Sequence, residues 1–483
     1  MDEFASRVIP APKSSIDYGE KLSVKPIVSC ECAEWAPLIE GFAESLKILF
    51  DLAMADGDGT IRIVLDKEVA PEAYILEIDQ EIKISASSYH GCAYALATVI
   101  QLAELDEGEL TFHRGKIADQ PDRDYRCFMV DIARQWHPFK TLQHYIDLCF
   151  FYKVKYLHLH FTDDQSYTLP SKAFPKLPTP NRSYSFAQIA ELRRYAKSRG
   201  IILVPELEAP GHAKALNAAY PEIFSDSIAT EQDVGITTET GASISHDSII
   251  CAGSEAAYSA VIQLIDEVLA LFPESPYIHL GGDEANIAVW DKCTVCRSYM
   301  QRHGLKDAKE LYGEFTGRVT DYVLSKGRTP IVWEGFSKQH SDKISKDTIV
   351  IAWESYYNYP DDLLNDGYRI INASWQPLYI VPSVIRRWGI KEILDWNMFE
   401  WQHWWEKSAA CLNPFHVKPS EQVIGAQLCA WEQTYESEIA AVVENLSAFS
   451  ERVWSVKRVS SFEQFLQKYA VQAVKAFKLI QEV

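Results

Sequence analysis

Long apolar runs are missing from the sequence: no stretch of about 18 uninterrupted apolar residues occurs in its 483 positions, so nothing predicts a membrane-spanning helix. The N-terminus, MDEFASRVIPAPKSS, has no basic start followed by an apolar stretch, and we therefore expect no signal peptide. Cysteine is scarce. The ten cysteines stand mostly inside apolar runs, which indicates buried, reduced thiols rather than a disulfide framework. These features predict a cytoplasmic protein without membrane insertion.

Positive charge is also in short supply. The chain has 47 Lys and Arg residues against 67 Asp and Glu residues, a formal net charge of −20. An anionic surface repels phosphate backbones and anionic lipid headgroups, so nucleic acids and membrane surfaces are not expected partners. Aromatic residues are plentiful by contrast, and the 13 Trp are crowded towards the last third. Such tryptophans suit flat, hydroxyl-bearing ligands, although a large core would also use them.

Residues 1–117 are predicted to form a small α+β domain. Strand-like alternation of apolar and polar residues, typical of an antiparallel sheet, marks the segments 61–66, 73–79 and 81–87. A helical pattern follows at 90–105, and strands and a helix that share one apolar face pack as two layers. The polar, proline-containing segment 116–124 then predicts a linker.

Residues 118–483 are predicted to form a (β/α)8 TIM barrel, because apolar strands and amphipathic helices alternate there. The eight predicted strands are 127–133, 154–161, 200–207, 277–282, 330–335, 348–354, 368–374 and 423–431. Amphipathic helices are predicted at 185–200, 254–272 and 308–327, whereas long loops replace helices after strands five to seven. Barrel enzymes carry their chemistry at the carboxyl ends of the strands, so a site is expected there.

Two adjacent acids, Asp283 and Glu284, follow Gly281 and Gly282 at the end of the fourth predicted strand. Such acids can simply cap a helix or face solvent. A glycosidase needs one carboxyl that protonates the leaving oxygen and a second group at the anomeric carbon, about 5–5.5 Å away in ordinary retaining enzymes. Neighbours in an extended chain point in diverging directions and do not flank one bond in this way. The spacing favours Glu284 as acid/base and Asp283 as a group that orients the substrate.

Long motifs lie at the predicted strand ends. In chain order they read DYRCFMVDIAR, HLHFTDDQ, PELEAPGHAKA, HLGGDEAN and GAQLCAWEQ. They resemble the motifs of family 20 glycoside hydrolases, the β-N-acetylhexosaminidases, over residues 119 to 483, and the preceding module is similar to the family's N-terminal domain. The resemblance implies an exo-acting, retaining enzyme that removes terminal β-linked GlcNAc or GalNAc. The substrate's 2-acetamido oxygen is then the nucleophile, through an oxazolinium intermediate and without metal or organic cofactor.

The resemblance also implies the catalytic residues. Glu284 is the general acid and then the general base, while Asp283 binds the acetamido N–H and stabilises the positive charge that develops there. Tyr379, in SWQPLYI, donates its hydroxyl to the acetamido oxygen. Asp164 and His212 form a relay with Glu284 that tunes the acid, which must hold its proton near neutral pH and take one back later. Without the resemblance, a lone histidine at a strand end would indicate a structural residue.

A set of sugar-binding residues follows from the same resemblance. Trp333, Trp353 and Trp431 wall the acetamido methyl group, and such an aromatic box fixes the acetamido oxygen beneath the anomeric carbon. Arg126 binds ring hydroxyls through the N–H donors of its guanidinium, and Trp396 stacks on the pyranose face. The alternatives are core packing for each tryptophan and a surface ion pair for the arginine.

Three positions depart from the family's pattern. Glu208 stands where the family more often has Asp, Val381 where many members carry an Asp that binds O4, and Gln433 where a Glu commonly binds the distal hydroxyls. Gln433 is still expected to bind substrate. Because the last two changes leave the O4 side less charged, we expect the galacto configuration to be tolerated as well as the gluco configuration.

Two other functions fit parts of the sequence. His158 and His160 form an HxH motif with which several metal-dependent barrel hydrolases begin a zinc site. Cys293 and Cys296 add a second metal-like spacing, but later strand ends supply no Lys and paired His to complete a two-metal set. A non-catalytic sugar-binding barrel should lack the acid or its orienting partner, and both are present. The aglycone, the linkage and the oligomeric state stay open.

Overall fold

The computed structural model describes residues 4–54, 59–225, 236–237, 243–244, 246–382 and 387–481. The strands of the N-terminal unit are β1 (Ser14–Val24), β2 (Val28–Cys30), β3 (Ile61–Leu65), β4 (Tyr74–Ile78), β5 (Ile82–Ala86), β6 (Glu104–Asp106) and β7 (Glu109–Asp119). They form one mixed sheet in the order β1-β7-β4-β5-β3-β2, with β6 paired to β7. Helix α1 (Ala36–Phe50) packs on α2 (Tyr89–Leu102), which lies against β4 and β5.

This sheet differs from its prediction in three respects. The alternation predicts an antiparallel sheet, but β3 and β5 pair in parallel. The pattern also misses β1, which pairs with β7 at the sheet edge and leaves most of its side chains exposed. An edge strand buries little apolar surface and so carries little alternation. Strand β7 runs through Asp119, so residues 116–119 belong to the sheet rather than to the predicted linker.

The second unit is a closed barrel. Its part of the chain contains β8 (Tyr125–Asp131), β9 (Tyr156–His160), β10 (Ile202–Glu206), β11 (Ile236–Thr237), β12 (Ser243–Ile244), β13 (Tyr277–His279), β14 (Thr329–Trp333), β15 (Ile349–Ala352), β16 (Arg369–Asn372), β17 (Tyr379–Ile380), β18 (Glu400–Trp401), β19 (Phe415–His416) and β20 (Val423–Ala430). Eight parallel strands, β8, β9, β10, β13, β14, β15, β16 and β20, form the barrel, and β20 closes it by pairing with both β8 and β16. The predicted TIM barrel is confirmed.

Helices surround the barrel. They are α3 (Phe139–Phe151), α4 (Phe186–Lys197), α5 (Lys214–Ala219), α6 (Pro221–Phe224), α7 (Glu255–Leu271), α8 (Thr294–His303), α9 (Ala308–Ser325), α10 (Pro360–Asn365), α11 (Trp375–Leu378), α12 (Ile390–Asp395), α13 (Tyr435–Trp454) and α14 (Phe462–Leu479). The three helices predicted from periodicity begin where Ser185, Ser254 and Asp307 accept a hydrogen bond from the amide three residues on. In the described part of the chain, no helix is long and apolar enough to cross a membrane.

The two units share a buried interface at the amino end of the barrel. Asp119, the last residue of β7, accepts a hydrogen bond from Nε1 of Trp454 at 3.0 Å. Its other carboxylate oxygen lies 3.5 Å from Nζ of Lys153. All three side chains are buried. The two units therefore meet at residues that precede β9 and end α13, away from the carboxyl ends of the strands.

Candidate active site

The turn after β13 presents two acids at the carboxyl end of the barrel. Gly281 and Gly282 have φ angles of 65° and 98°, a region that other residues rarely adopt. A Cβ at Gly281 would lie 1.6 Å from Oε2 of Glu208, so only glycine fits there. Asp283 is buried, while Glu284 is partly exposed and borders a cavity of about 600 Å³. The two glycines thus allow the backbone to turn tightly over the buried carboxyl of Glu208. This turn places Asp283 and Glu284 at the carboxyl end of the barrel.

His212 lies between three carboxylates. Its Nδ1 is 3.3 Å from Oδ1 of Asp163, and its Nε2 is 3.4 Å from Oδ2 of Asp283 and 3.5 Å from Oε2 of Glu284. Burial alone would lower the pKa of His212, but Asp163 and Asp283 outweigh burial and hold that pKa well above its usual value. Burial would raise the pKa of Asp283, yet His212 lowers it. The site therefore pairs a cationic His212 with an ionised Asp283.

The structure corrects the relay that the sequence predicts through Asp164. Asp164 accepts a hydrogen bond from Oγ of Ser248, which lies 2.7 and 2.6 Å from its two carboxylate oxygens, and another from the amide of Lys214 at 3.0 Å. Asp163 is the residue that faces Nδ1 of His212. Side chains of adjacent residues in an extended segment point to opposite sides, and the motif TDD does not tell which acid points inward.

Arg134, a residue without a predicted role, lies against the same cluster. Its guanidinium nitrogens are 2.9 Å from Oδ2 of Asp163 and 3.5 Å from Oδ2 of Asp131, and the group stacks 4.9 Å from the centroid of the Trp431 ring. Burial would lower the pKa of Arg134, but these carboxylates, Asp163 first, raise it well above its usual value. The sequence signal that could have identified Arg134 as a site residue is its position just past β8, at the end of FMVDIAR.

Arg126 lies at the opposite end of the barrel. It is fully buried near the start of β8, where its Nη2 is 3.0 Å from Oε2 of Glu72 and its Nη1 donates to the carbonyl of Arg123 at 2.6 Å. Its guanidinium carbon is 5.2 Å from the ring centroids of both Tyr94 and Trp454. The predicted role of Arg126 in substrate binding is therefore corrected, because a residue at the start of a barrel strand lies at the amino end.

Four buried aromatic rings form a closed box at the carboxyl end. Their centroids are 6.0 Å apart for Trp333 and Trp353, 6.4 Å for Trp353 and Tyr379, 6.5 Å for Tyr379 and Trp431, and 5.9 Å for Trp431 and Trp333. Nε1 of Trp333 donates to Oε1 of Glu206 at 2.8 Å, which fixes the orientation of that ring. The structure thus brings together four residues that the sequence predicts for one pocket, and a box of this kind suits a small apolar group.

Glu206, next to the box, is surrounded by three histidines. Its Oε1 is 2.7 Å from Nδ1 of His279, and its Oε2 is 3.0 Å from Nε2 of His158 and contacts Nδ1 of His160. Nε2 of His160 lies 2.9 Å from Oδ2 of Asp163. Burial would lower the pKa of His160, but Glu206 and Asp163 raise it to about 10. Such side chains could hold a metal ion, but here the HxH histidines are engaged in a buried ionic network with Glu206.

Glu208 lies in the buried wall beneath Asp283. Its Oε2 accepts a hydrogen bond from the amide of Gly282 at 3.3 Å. Burial, followed by repulsion from Asp283 and Glu206, raises the pKa of Glu208 well above its usual value. Burial and the neighbouring carboxylates thus favour the protonated form of Glu208, which would place less negative charge beneath Asp283.

Glu334, the residue after β14, organises the loop that follows β15. Its carboxylate accepts hydrogen bonds from four consecutive amides, those of residues 355–358, at 2.9–3.2 Å. Burial raises the pKa of Glu334 to about 7 although these hydrogen bonds oppose the shift. Its carbonyl accepts from Nε1 of Trp353 at 3.0 Å. Glu334 thereby holds Tyr356 at the cavity that Glu284 borders. The motif VWEGF contains this acid, but its role depends on an irregular loop that periodicity does not predict.

Trp396 lies outside the box. It follows α12, and its carbonyl accepts hydrogen bonds from Nε and Nη2 of Arg452 at 3.1 and 2.9 Å. Its ring belongs to the outer core around the barrel, whereas the box belongs to the core inside it. Trp375 stacks on Tyr379 from outside the box, at a centroid distance of 4.7 Å. The described contacts do not bring Trp396 to the box, and its stacking on the pyranose face stays a prediction; several tryptophans crowd this stretch, and spacing alone does not rank them.

Gln433 lies on the same side of the site as Tyr379. Both line a second cavity of about 630 Å³, together with Val381, Trp388 and Glu432. Nε2 of Gln433 is buried and has no hydrogen-bond partner within the described ranges, so it is a donor that a ligand can use. Val381 adds no polar group to this wall.

Known proteins resemble this chain in sequence. The profile of Glycosyl hydrolase family 20, catalytic domain, matches residues 124–457, and that of Glycosyl hydrolase family 20, domain 2, matches residues 5–120. A β-hexosaminidase of Vibrio furnissii is 32% identical over 305 residues, which are 59% of this chain and 48% of that protein. A β-hexosaminidase of Akkermansia muciniphila is 28% identical over 447 residues, 85% of each chain. The chain thus spans about half of the first relative's length and most of the second's.

Solved structures share the fold. The GH20 exo-β-N-acetylglucosaminidase of Vibrio harveyi, in complex with N-acetylglucosamine, superposes with a TM-score of 0.84 at 23% identity, over 98% of this chain and 77% of that one. The β-N-acetylhexosaminidase of Bacteroides fragilis gives a TM-score of 0.79 at 24% identity, over 97% and 94% of the two chains. From the two profile matches, which cover most of its length, the chain belongs to glycosyl hydrolase family 20.

Proposed function

We propose that this protein is an exo-acting, retaining β-N-acetylhexosaminidase that removes terminal, non-reducing β-linked GlcNAc or GalNAc. The observation that carries the proposal is the closed aromatic box, whose Trp431 ring is linked through Arg134, Asp163 and His212 to the adjacent acids Asp283 and Glu284. The family and the names of its relatives give the sugar class, and the arrangement of the residues supports the substrate-assisted reaction.

In the proposed reaction the acetamido group of the substrate enters the box. Its methyl contacts Trp333, Trp353 and Trp431, and Tyr379 donates its hydroxyl to the acetamido oxygen. That oxygen attacks the anomeric carbon and forms the oxazolinium ion, so an intramolecular nucleophile replaces an enzyme carboxylate. Asp283, whose pKa His212 lowers against burial, is ionised and stabilises the positive charge that develops at the acetamido nitrogen.

Glu284 supplies the proton for the leaving oxygen and later accepts one from the attacking water. His212, 3.5 Å from its Oε2, stabilises the carboxylate that forms when the proton has left. Asp163 at Nδ1 of His212 orients the imidazole and keeps it charged. The proposed relay is therefore Asp163–His212–Glu284, and Asp164 supports it through Ser248. The reaction as proposed uses no metal and no organic cofactor.

We assign sugar binding to Arg134 and Gln433. Arg134 stacks on Trp431 with its guanidinium at the rim, where its remaining donors can reach ring hydroxyls. Gln433 offers its buried Nε2 from the Tyr379 side. Because Val381 places no charge on this wall, we keep the expectation that both epimers at C4 are accepted. None of the ten cysteines is in a disulfide, which supports the predicted cytoplasmic location.

The experiment compares p-nitrophenyl β-N-acetylglucosaminide, the matching galactosaminide and plain β-glucoside under one set of conditions. We expect turnover of both acetamido sugars and none of the glucoside, because the glucoside lacks the nucleophile. The ratio of kcat/KM for the two epimers measures the tolerance at O4.

The other outcomes each reject part of the proposal. Equal cleavage of the glucoside would mean that an enzyme carboxylate attacks the sugar and that Asp283 and Tyr379 have other roles. A strong preference for the gluco epimer would reject the tolerance at O4. Binding of the acetamido sugars without cleavage of any substrate would favour a non-catalytic sugar-binding barrel.

A further inference from the structure

Three cysteines meet in a buried cluster outside the proposed catalytic residues. Sγ of Cys251 lies 3.6 Å from Sγ of Cys293 and 3.5 Å from Sγ of Cys296, and the three sulfur atoms all lie within 4.8 Å of one another. All three side chains are buried. A disulfide would need a separation of about 2.05 Å, so these sulfurs are neighbours rather than bonded partners.

The backbone brings the three sulfurs together from two segments. Cys293 is the N-cap of α8, where its Sγ accepts a hydrogen bond from the amide of Cys296 at 3.4 Å. Cys251 comes from the loop before α7. In that loop, a Cβ at Gly253 would lie 2.7 Å from Cα of Cys296, which shows how closely the two segments approach. Nε1 of Trp290 also donates to the carbonyl of Ile250 at 2.9 Å and joins the segments beside the sulfurs.

This geometry matches that of thiolates around one ion. Zn²⁺ binds thiolate sulfur at about 2.3 Å in a tetrahedral arrangement, in which two sulfurs are about 3.8 Å apart. The observed separations of 3.5 and 3.6 Å lie close to that value. The N-terminus of α8 contributes the positive end of the helix dipole and an amide donor, both of which stabilise a thiolate. Cysteine clusters with such spacing in a reducing compartment indicate metal binding more often than disulfides.

We propose that Cys251, Cys293 and Cys296 bind one Zn²⁺ ion with a structural role. Each thiol loses its proton on binding, and the three thiolates supply three of the four ligands of a tetrahedral ion. A non-cysteine donor takes the fourth position. Because Cys293 follows Glu284 by nine residues and Cys251 follows Ser248 by three, the ion would fasten the two segments that carry the catalytic acid and the hydrogen-bond partner of Asp164.

The test measures metal rather than turnover. The full-length protein is purified under reducing conditions, loaded with Zn²⁺, desalted and analysed by inductively coupled plasma mass spectrometry. We expect about one zinc ion per chain for the parent protein. The zinc content of Cys251→Ser and of Cys296→Ser should be lower by roughly tenfold or more. Cys92→Ala is the matched control, because Cys92 is a buried thiol of α2 in the other unit. It should retain the zinc of the parent.

A spectrum of the parent protein alone keeps the test decisive if a serine variant does not fold. Reloading with Co²⁺ should give the sulfur-to-cobalt charge-transfer absorption of thiolate ligands, and prior addition of Zn²⁺ should suppress it. Zinc below about a tenth of an ion per loaded parent chain would overturn the proposal. Equal zinc in parent and serine variants would overturn it too, as would a disulfide at Cys251 that persists in the metal-free protein under reducing conditions.

Discussion

Two arginines at opposite ends of one strand show what separates the two ends of this barrel. Arg126 lies at the start of β8 and Arg134 three residues past its end, and both pair with carboxylates and lie over a tryptophan ring. The side chain of Arg126 is 0% exposed and joins the N-terminal unit to the barrel through Glu72. The side chain of Arg134 is 16% exposed and reaches the acids of the rim. Both side chains are paired and largely buried, and they differ in the end of the barrel at which they lie: Arg126 joins the two units, whereas Arg134 lies at the proposed site.

The comparison predicts that rim residues control the rate and that residues at the amino end control stability. Glu284→Gln should lower kcat/KM by about 10⁴-fold for substrates with poor leaving groups, because the amide cannot give or take the proton. The free energy of unfolding should change little. Steady-state kinetics and urea unfolding measure the two quantities. A rate close to that of the parent would remove Glu284 from the chemistry.

Asp283→Asn should have the next largest effect. We expect kcat to fall by about 10³-fold with a small change in KM, since the carboxylate acts on charge that develops only in the transition state. A matched series of acetamido substrates measures the split between kcat and KM. If KM rose while kcat stayed constant, Asp283 would be a ground-state binding residue.

The two arginines provide the direct test of the comparison. Arg134→Met should lower kcat/KM by about 100-fold through misplaced substrate and acids. Arg126→Met should leave kcat per folded molecule unchanged but lower the free energy of unfolding by about 3 kcal/mol, because it leaves Glu72 without its arginine partner. Active-site titration and urea unfolding of both variants provide the data. The reverse pattern would contradict the division between the two ends.

The last comparison concerns two histidines with opposite pKa shifts. Burial, Lys155 and Arg126 lower the pKa of His90 to about 3, whereas Glu206 and Asp163 raise that of His160 to about 10 against burial. The proton on folded His160 stabilises the protein fully below pH 6.5, and this contribution is lost as pH rises towards 10. The unfolded chain protonates His90 first, so stability is lost as pH falls from 6.5 towards 3.

Unfolding free energies across this pH range check both statements. His160→Gln should flatten the alkaline side of the stability profile, and His90→Gln should flatten the acid side. Each variant is the control for the other. Profiles that stay parallel to the parent on both sides would show that neither histidine is linked to folding as described.

The sequence predicts the barrel well because its strands are apolar runs. Each of the eight predicted segments overlaps an observed barrel strand; six contain the whole strand, whereas β8 and β14 begin one or two residues before the predicted segment. It predicts the edge strand β1 poorly, because most of that strand's side chains face solvent. In the site, the box residues follow from motifs at strand ends. The choice of Asp163 over Asp164 depends on side-chain direction, and the placement of Trp396 depends on the path of an irregular loop. Neither is encoded in residue spacing.

The aromatic box has an optical consequence. Three indoles and one phenol held with centroids 5.9–6.5 Å apart are close enough for their excited states to couple in a fixed, chiral arrangement. Near-ultraviolet circular dichroism reports such fixed tertiary packing. A ligand that enters the box must alter that signal even when it has no chromophore of its own. The near-ultraviolet circular dichroism of the box thus reports whether a ligand occupies it. Colourless natural oligosaccharides can be screened in this way without labels.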